Sequence, residues 1–190
     1  MICNNMRRLG GIFAALSLLF LTLSGWLLLA PGPLVPVAPP DYRPQSAPEL
    51  TTPIQRILIE KGARRMTVYQ QEGPAKMFQI ALGFSPEGTK SRQGDGRTPE
   101  GIYRIDRLNP QSRFHLSLGL DYPQRQHREA ARKGGFDPGG DIMIHGQPNQ
   151  IPAGYRVKGD WTEGCIAVTD AEIEEIFALA RIGTEVEIRP

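Results

Sequence analysis

Apolar and polar positions divide the 190-residue chain into three stretches of different character. From Leu9 to Ala30 no charge interrupts a run dominated by Leu, Ile, Phe, Ala and Trp, and roughly 20 such residues span a bilayer as a helix. Residues 31–53 hold eight of the 17 prolines and almost no periodic pattern, the composition of a stiff linker. From residue 54 short alternating segments take over. Ile57-Leu58-Ile59 and Met66-Thr67-Val68-Tyr69, parted by the Lys61-Gly62 turn signal, predict a hairpin. Phe78, Ile80 and Leu82 alternate with Met77, Gln79 and Ala81 in the two-residue period of a half-buried strand, and Tyr103 and Ile105 continue the theme.

The stretch Gly83 to Gly101 is polar and glycine-rich and reads as a loop. It lacks the GxxxxGK[ST] spacing of a phosphate-binding loop, and no helix pattern follows it. Asp121 to Gly140, rich in glycine and charge, also reads as a loop, with composition that permits a mobile lid. Asp141-Ile142-Met143-Ile144-His145-Gly146 predicts a strand with His145 at its C-terminal end. The clearest helix starts at Thr169, where Glu172 completes a capping box, and Ile173, Ile176, Phe177 and Ala180 supply one apolar face. Gly183 is expected to end it, and Val186 and Ile188 suggest a closing strand. The pattern therefore predicts a transmembrane anchor over 1–30, a linker over 31–53 and a mainly β domain over 54–190.

Charge sets the topology of that arrangement. Arg7 and Arg8 precede the apolar run and no Lys or Arg follows until Arg43, which holds the N-terminus in the cytoplasm and sends the domain outside. Leu28 and Ala30 before Pro31 make a poor cleavage site, so the anchor is expected to remain. The net charge of +2 belongs to Arg7 and Arg8; the remaining 20 basic residues face 20 acidic ones, without the surplus expected of a nucleic-acid binder. Cys3 and Cys165 then lie on opposite sides of the membrane and cannot pair, which leaves Cys165 as a lone thiol in an oxidising compartment.

A thiol attacks as thiolate, and with an ordinary pKa near 8.5 it needs a neighbouring base at neutral pH. His145 is the best candidate, because it ends a strand beside a glycine, whereas His115 and His127 sit in polar segments. Gly164 leaves room for a substrate at Cys165, whose own amide is placed to meet an oxyanion. A lone Cys and a strand-end His fit a buried structural cysteine equally well. No HExxH or comparable ligand pair accompanies them, so neither a metal nor a cofactor is expected. Lys90, Arg92 and Arg97 are either solvated loop cations or partners for substrate carboxylates; Trp161 either lines the cleft or covers the core; and Tyr103 reads as a half-buried strand aromatic.

The order of these residues resembles the L,D-transpeptidase catalytic (YkuD-like) family. Its pattern of HG, a variable segment and [S/T]-x-G-C stands here as His145-Gly146 and Thr162-Glu163-Gly164-Cys165. Its upstream G-D-x-x-T-P-x-G-x-Y segment stands as Gly94 to Tyr103, and Pro138-Gly139-Gly140-Asp141 also fits. The likeness covers roughly Ile57 to Ile188. It implies a β-rich sandwich with one or two helices, acting on peptidoglycan stem peptides, and together with the apolar run it predicts a cell-envelope enzyme anchored in the inner membrane with the domain periplasmic. Cys165 is then the nucleophile and His145 its base, oriented by a backbone carbonyl, with Gly146, Thr162 and Gly164 shaping the substrate and oxyanion site. Two positions depart from the family pattern: Glu163 stands where many members have His or Arg, and Ala167 where many have Arg. These departures leave open a hydrolase of the same fold that trims stem peptides or releases wall-linked protein, with a non-catalytic wall-binding module as the third reading.

Overall fold

The computed structural model describes residues 48–152 and 154–190. The apolar run at 9–30 and the linker up to residue 47 lie outside the described residues, among which no helix is long and apolar enough to cross a membrane. The described chain is mainly β: β1 (Ile54–Glu60), β2 (Arg65–Gln70), β3 (Lys76–Gln79), β4 (Gly101–Ser112), β5 (His115–Leu120), β6 (Met143–His145), β7 (Ile166–Ala167) and β8 (Glu185–Arg189). Two helices complete it, α1 (Arg125–Gly134) and α2 (Asp170–Leu179).

The expected sandwich is a single sheet curled on itself, in the order β3-β2-β1-β8-β4-β5-β6-β7. Its turning point is β4, whose first residues pair with β8 and whose remainder, from Ile105 on and through a register shift between Ile105 and Arg107, pairs with β5. Bulges raise local twist and bend a strand, so one long strand serves both halves. The far edges then meet. Ala81 and Ala167 exchange backbone bonds of 2.9 and 2.8 Å, the Thr162 amide donates to Leu82 O at 3.1 Å, and the Phe84 amide to Thr162 O at 2.9 Å. The segment after β3 is thereby stitched to the chain around β7, which removes most of an exposed edge.

The predicted β1–β2 hairpin is present, antiparallel from Ile54↔Gln70 to Glu60↔Arg65. The predicted last strand lies inside the sheet, parallel to β1 and antiparallel to β4. Its alternation is the reason: Val186 and Ile188 face the core, while Glu185, Glu187 and Arg189 point away. The core is one cluster that takes Ile57, Ile59, Met66 and Val68 from β1 and β2, Leu118, Ile144 and Ile166 from β5 to β7, and Ile173 and Ile176 from α2. Leu50, within the stretch read as linker, belongs to the same cluster, and its amide donates to Glu175 Oε1 at 3.0 Å.

The capping box of α2 is formed in both directions, Glu172 amide to Thr169 Oγ1 at 3.3 Å and Thr169 amide to Glu172 Oε2 at 2.8 Å. Thr169→Ala removes the side-chain half, and urea denaturation is expected to show a loss of about 1 kcal/mol; an unchanged midpoint would contradict this role. The helix stops at Leu179, before the predicted Gly183, because Ala180 has already turned to extended backbone. Gly183, at φ +93°, instead makes the turn into β8, its amide donating to Ile105 O at 2.8 Å. Within the stretch read as loop, α1 is the unpredicted element. Only Ala131 of α1 is buried, so no apolar periodicity announced it. His127 Nδ1 accepts from the Gln124 amide at its start, and Gly135 at φ +68° ends it.

Candidate active site

Two short parallel strands run side by side, one ending in the predicted base and the other preceded by the predicted nucleophile. The register of β6 and β7 pairs Ile144 with Ile166 and His145 with Ala167. Side chains alternate along a strand, so with Ile144 and Ile166 in the core, His145 and Ala167 point to the opposite face. Cys165 immediately precedes β7. Its thiol lies against the chain entering β6: Sγ donates to Asp141 O at 3.4 Å, and the Met143 amide donates to the sulfur. Asp141 adopts φ +54°, a left-handed conformation uncommon outside glycine, which aims that carbonyl at the thiol. Arg107 holds the Asp141 carboxylate at 2.8 Å.

Burial governs the protonation of both groups. It pushes the Cys165 thiol up to about 11, a rise that the Met143 amide and the Lys90 charge only partly oppose. Burial also holds the His145 imidazole below its ordinary value. The ring is 2 % exposed, and its Nδ1 stands 2.7 Å from Gly146 O. A carbonyl only accepts, so Nδ1 carries the proton and Nε2 keeps a free lone pair. Phe114 stacks on the ring at 4.4 Å, and Trp161 meets it edge-on at 5.8 Å. Of the two readings of Trp161, the structure makes it a wall around the histidine.

The turn 162–165 carrying the cysteine is built from close backbone contacts. Thr162 Oγ1 donates to Cys165 O at 2.7 Å and accepts from the Gly164 amide at 3.1 Å. Gly164 has φ +131°, and a Cβ there would stand 2.5 Å from Arg97 O. A Cβ on Gly83 would stand 2.1 Å from Gly96 O and 3.0 Å from the Gly164 Cα. The Gly146 amide donates to Phe114 O at 3.1 Å, and a Cβ there would meet Asp170 Oδ1 at 2.6 Å. The amides of Gly146 and Gly164 are thus engaged internally, and both residues are held by close approach of neighbouring atoms. Thr162→Val leaves the Gly164 amide without its buried acceptor. The expected cost is about 1–3 kcal/mol in urea denaturation, and a variant as stable as the wild type would remove the hydroxyl from this account.

The other candidates separate cleanly. Lys90 is buried and pairs with Asp95 at 2.8 Å, which makes it a loop clamp. Burial pushes the Asp95 carboxyl up, but Lys90 and the amides of Ser91, Arg92 and Arg97 outweigh it and hold it down to about 2. Arg92 stands over the Phe136 ring at 5.1 Å, and Arg97 is half-buried with its carbonyl under Gly164. Glu163 is exposed and Ala167 fully buried. Tyr103 is 1 % exposed and donates to Glu100 O, so it is a core residue where a half-buried one was expected. His115 pairs with Glu174 at 2.6 Å, and His127 stacks between Tyr103 and Tyr122.

Sequence reasoning passed over Phe114, Gln147 and Ser117, and gave Asp141 no role at the thiol. Gln147 accepts from the Val157 amide at 2.8 Å and donates to Val168 O, tying the loop after His145 to the end of β7. Ser117 sits opposite His145 in the β5–β6 register, and its buried hydroxyl has no partner. A polar residue directly after His-Gly was the available signal for Gln147; nothing in sequence marks the carbonyl of Asp141 or the cross-strand place of Ser117.

The family model described as the L,D-transpeptidase catalytic domain, YkuD, matches residues 54–188. YafK of Escherichia coli (strain K12), named as a provisional L,D-transpeptidase, is 29% identical over 178 residues, covering 90% of this chain and 63% of its own. The helical cell shape determining protein Pgp2 of Campylobacter jejuni superposes with a TM-score of 0.54 at 26% identity, over 72% of this chain and 47% of that one. Bd1075 of Bdellovibrio bacteriovorus shares the fold at a TM-score of 0.50 and 21% identity, over 73% of this chain and 48% of that one. The chain thus spans less than two thirds of the length of these relatives.

Proposed function

The chain belongs to the YkuD family of L,D-transpeptidase catalytic domains, and from that premise we propose that it is a cell-wall enzyme acting on peptidoglycan stem peptides through a thioester on Cys165. The observation that supports the reading is the β6–β7 pairing, which sets the chain entering β7 at Cys165 beside the strand ending in His145, with Nδ1 held by Gly146 O so that Nε2 is left to accept a proton. With the thiol pushed up and the imidazole pushed down, the resting pair is neutral and the proton moves only as substrate is attacked.

In that cycle Sγ attacks the carbonyl carbon of the bond between an L-residue and a D-residue, and its proton passes to His145 Nε2. The Cys165 amide meets the developing oxyanion. The C–N bond then breaks, the departing amine takes the proton from the imidazolium, and the acyl group remains as a thioester. An amine acceptor attacks the thioester, gives its proton to Nε2 and returns the thiol. Water in the acceptor's place makes the same cycle a hydrolysis, a second reading favoured by the buried Ala167, which presents no cation beside His145. The apolar run at 9–30 would anchor the enzyme in the inner membrane with this domain periplasmic.

Defined muropeptides incubated with the enzyme and analysed by mass spectrometry test the reading: cross-linked dimers mean transfer, and shortened monomers mean hydrolysis. The absence of both products would overturn it. The neutral pair also sets the pH dependence. His145 works unprotonated and titrates below the ordinary 6.5, so the acid limb of kcat/KM is expected to fall below pH 6.5. Iodoacetamide alkylation of Cys165 should rise with pH toward a midpoint near 11. A midpoint at or below 8 would mean a preformed thiolate.

A further inference from the structure

We propose that the outer face of α1 is a docking strip for the carboxylate-rich peptidoglycan polymer, separate from the Cys-His cleft. This rests on the wall-enzyme reading above and adds the surface by which a polymer, as opposed to a soluble fragment, is held. Within α1, Arg125, Arg128, Arg132 and Lys133 stand against a single acid, Glu129, in a domain whose basic and acidic residues otherwise nearly balance.

Arg125, Arg128 and Arg132 recur at i, i+3 and i+7, so they share one side of the helix over about 10 Å of its axis. That side is turned about 110° around the helix from the inward face, where Ala131 is buried and His127 stacks on Tyr103 and meets Tyr122 at a tilt. All four cations are exposed. Glu129 neutralises Arg125 at 2.6 Å, and Arg128 donates to Pro123 O, which leaves Arg132 and Lys133 without a carboxylate partner among the described residues. Just past the helix, exposed Arg92 stands over the Phe136 ring at 5.1 Å and adds a further cation, with Asp95 and Asp137 the acids beside it in sequence.

The strip is coupled to the site by a short path. The Gln93 amide donates to Asp137 O at 2.8 Å, and Tyr122 OH to Pro138 O at 3.0 Å, fixing the chain between α1 and Asp141. Asp141 is the residue whose carbonyl receives the thiol. A polymer held along α1 therefore presents its next stem peptide near Cys165. A row of cations has little apolar surface to bury, so its partner is a polyanion bound electrostatically, with salt-dependent affinity.

The test is cosedimentation of residues 48–190, whose described residues form one hydrophobic core from Leu50 to Ile188, with insoluble protein-free sacculi over a range of NaCl. Wild type is expected to pellet at low salt and to be released as salt rises. Arg125→Glu/Arg132→Glu/Lys133→Glu, which spares Arg128, should lower the bound fraction about tenfold or more, while Arg125→Lys/Arg132→Lys should keep it. Turnover of a soluble muropeptide monomer should stay within about twofold of wild type in both. Undiminished pelleting of the charge-reversed variant, salt-insensitive pelleting, an equal loss on the soluble monomer, or retention on phosphatidylglycerol vesicles but not on sacculi would each overturn the strip. Pelleting is scored without turnover, so an inactive wild-type chain would count against the enzyme reading while pelleting still decides the strip.

Discussion

Cys165→Ala is expected to abolish turnover of muropeptides and the thioester adduct together, while leaving the fold intact. The side chain is only partly buried and its polar contacts, to Asp141 O at 3.4 Å and from the Met143 amide, are the weak ones of a sulfur, so its loss costs little stability. Its chemical loss is total, because no other described cysteine exists to accept the acyl group. His145→Gln is expected to lower kcat/KM by about 10²–10⁴-fold, the usual contribution of a positioned acid-base group. Intact-protein mass spectrometry should find an acyl adduct on wild type and none on Cys165→Ala. Undiminished turnover by the Ala variant would sink the thiol mechanism, and an adduct on another residue would move the nucleophile elsewhere.

The second large effect is expected at Gly83, a residue far from Cys165 in sequence. A methyl group there would stand 2.1 Å from Gly96 O and 3.0 Å from the Gly164 Cα, both backbone atoms that no rotamer change can move aside. Gly83→Ala must therefore displace the nucleophile turn from the 83–101 loop. We expect a loss of about 3 kcal/mol in urea denaturation and about a 10²-fold fall in kcat/KM from the misplaced thiol. Gly94→Ala is the control: its φ is +78° with nothing within 4 Å, so it carries only backbone strain of about 1–2 kcal/mol and leaves activity largely unchanged. Equal behaviour of the two variants would mean that the glycine contact does not position the turn.

These two positions mark how differently the site was legible. Cys165 and His145 were readable because their chemistry is carried by residue type: a lone thiol, a strand-end imidazole, and motifs in family order. Gly83 and Gly96 looked like ordinary loop glycines, since what constrains them is an approach of backbone to backbone across 81 residues of chain from 83 to 164. Likewise α1 escaped notice because its face is charged and buries one alanine, leaving no apolar period to detect.

Local pattern determined the β-rich character, the β1–β2 hairpin and the capped helix at Thr169, because each depends on neighbours within a few residues. The tertiary structure decided that the expected sandwich is one curled sheet, that Gly146 O is the carbonyl on His145, and that the resting thiol is protonated. Those outcomes come from strand register, burial and contacts between residues distant in the chain. Desolvation and close packing belong to the assembled neighbourhood of a group, and no single segment carries them.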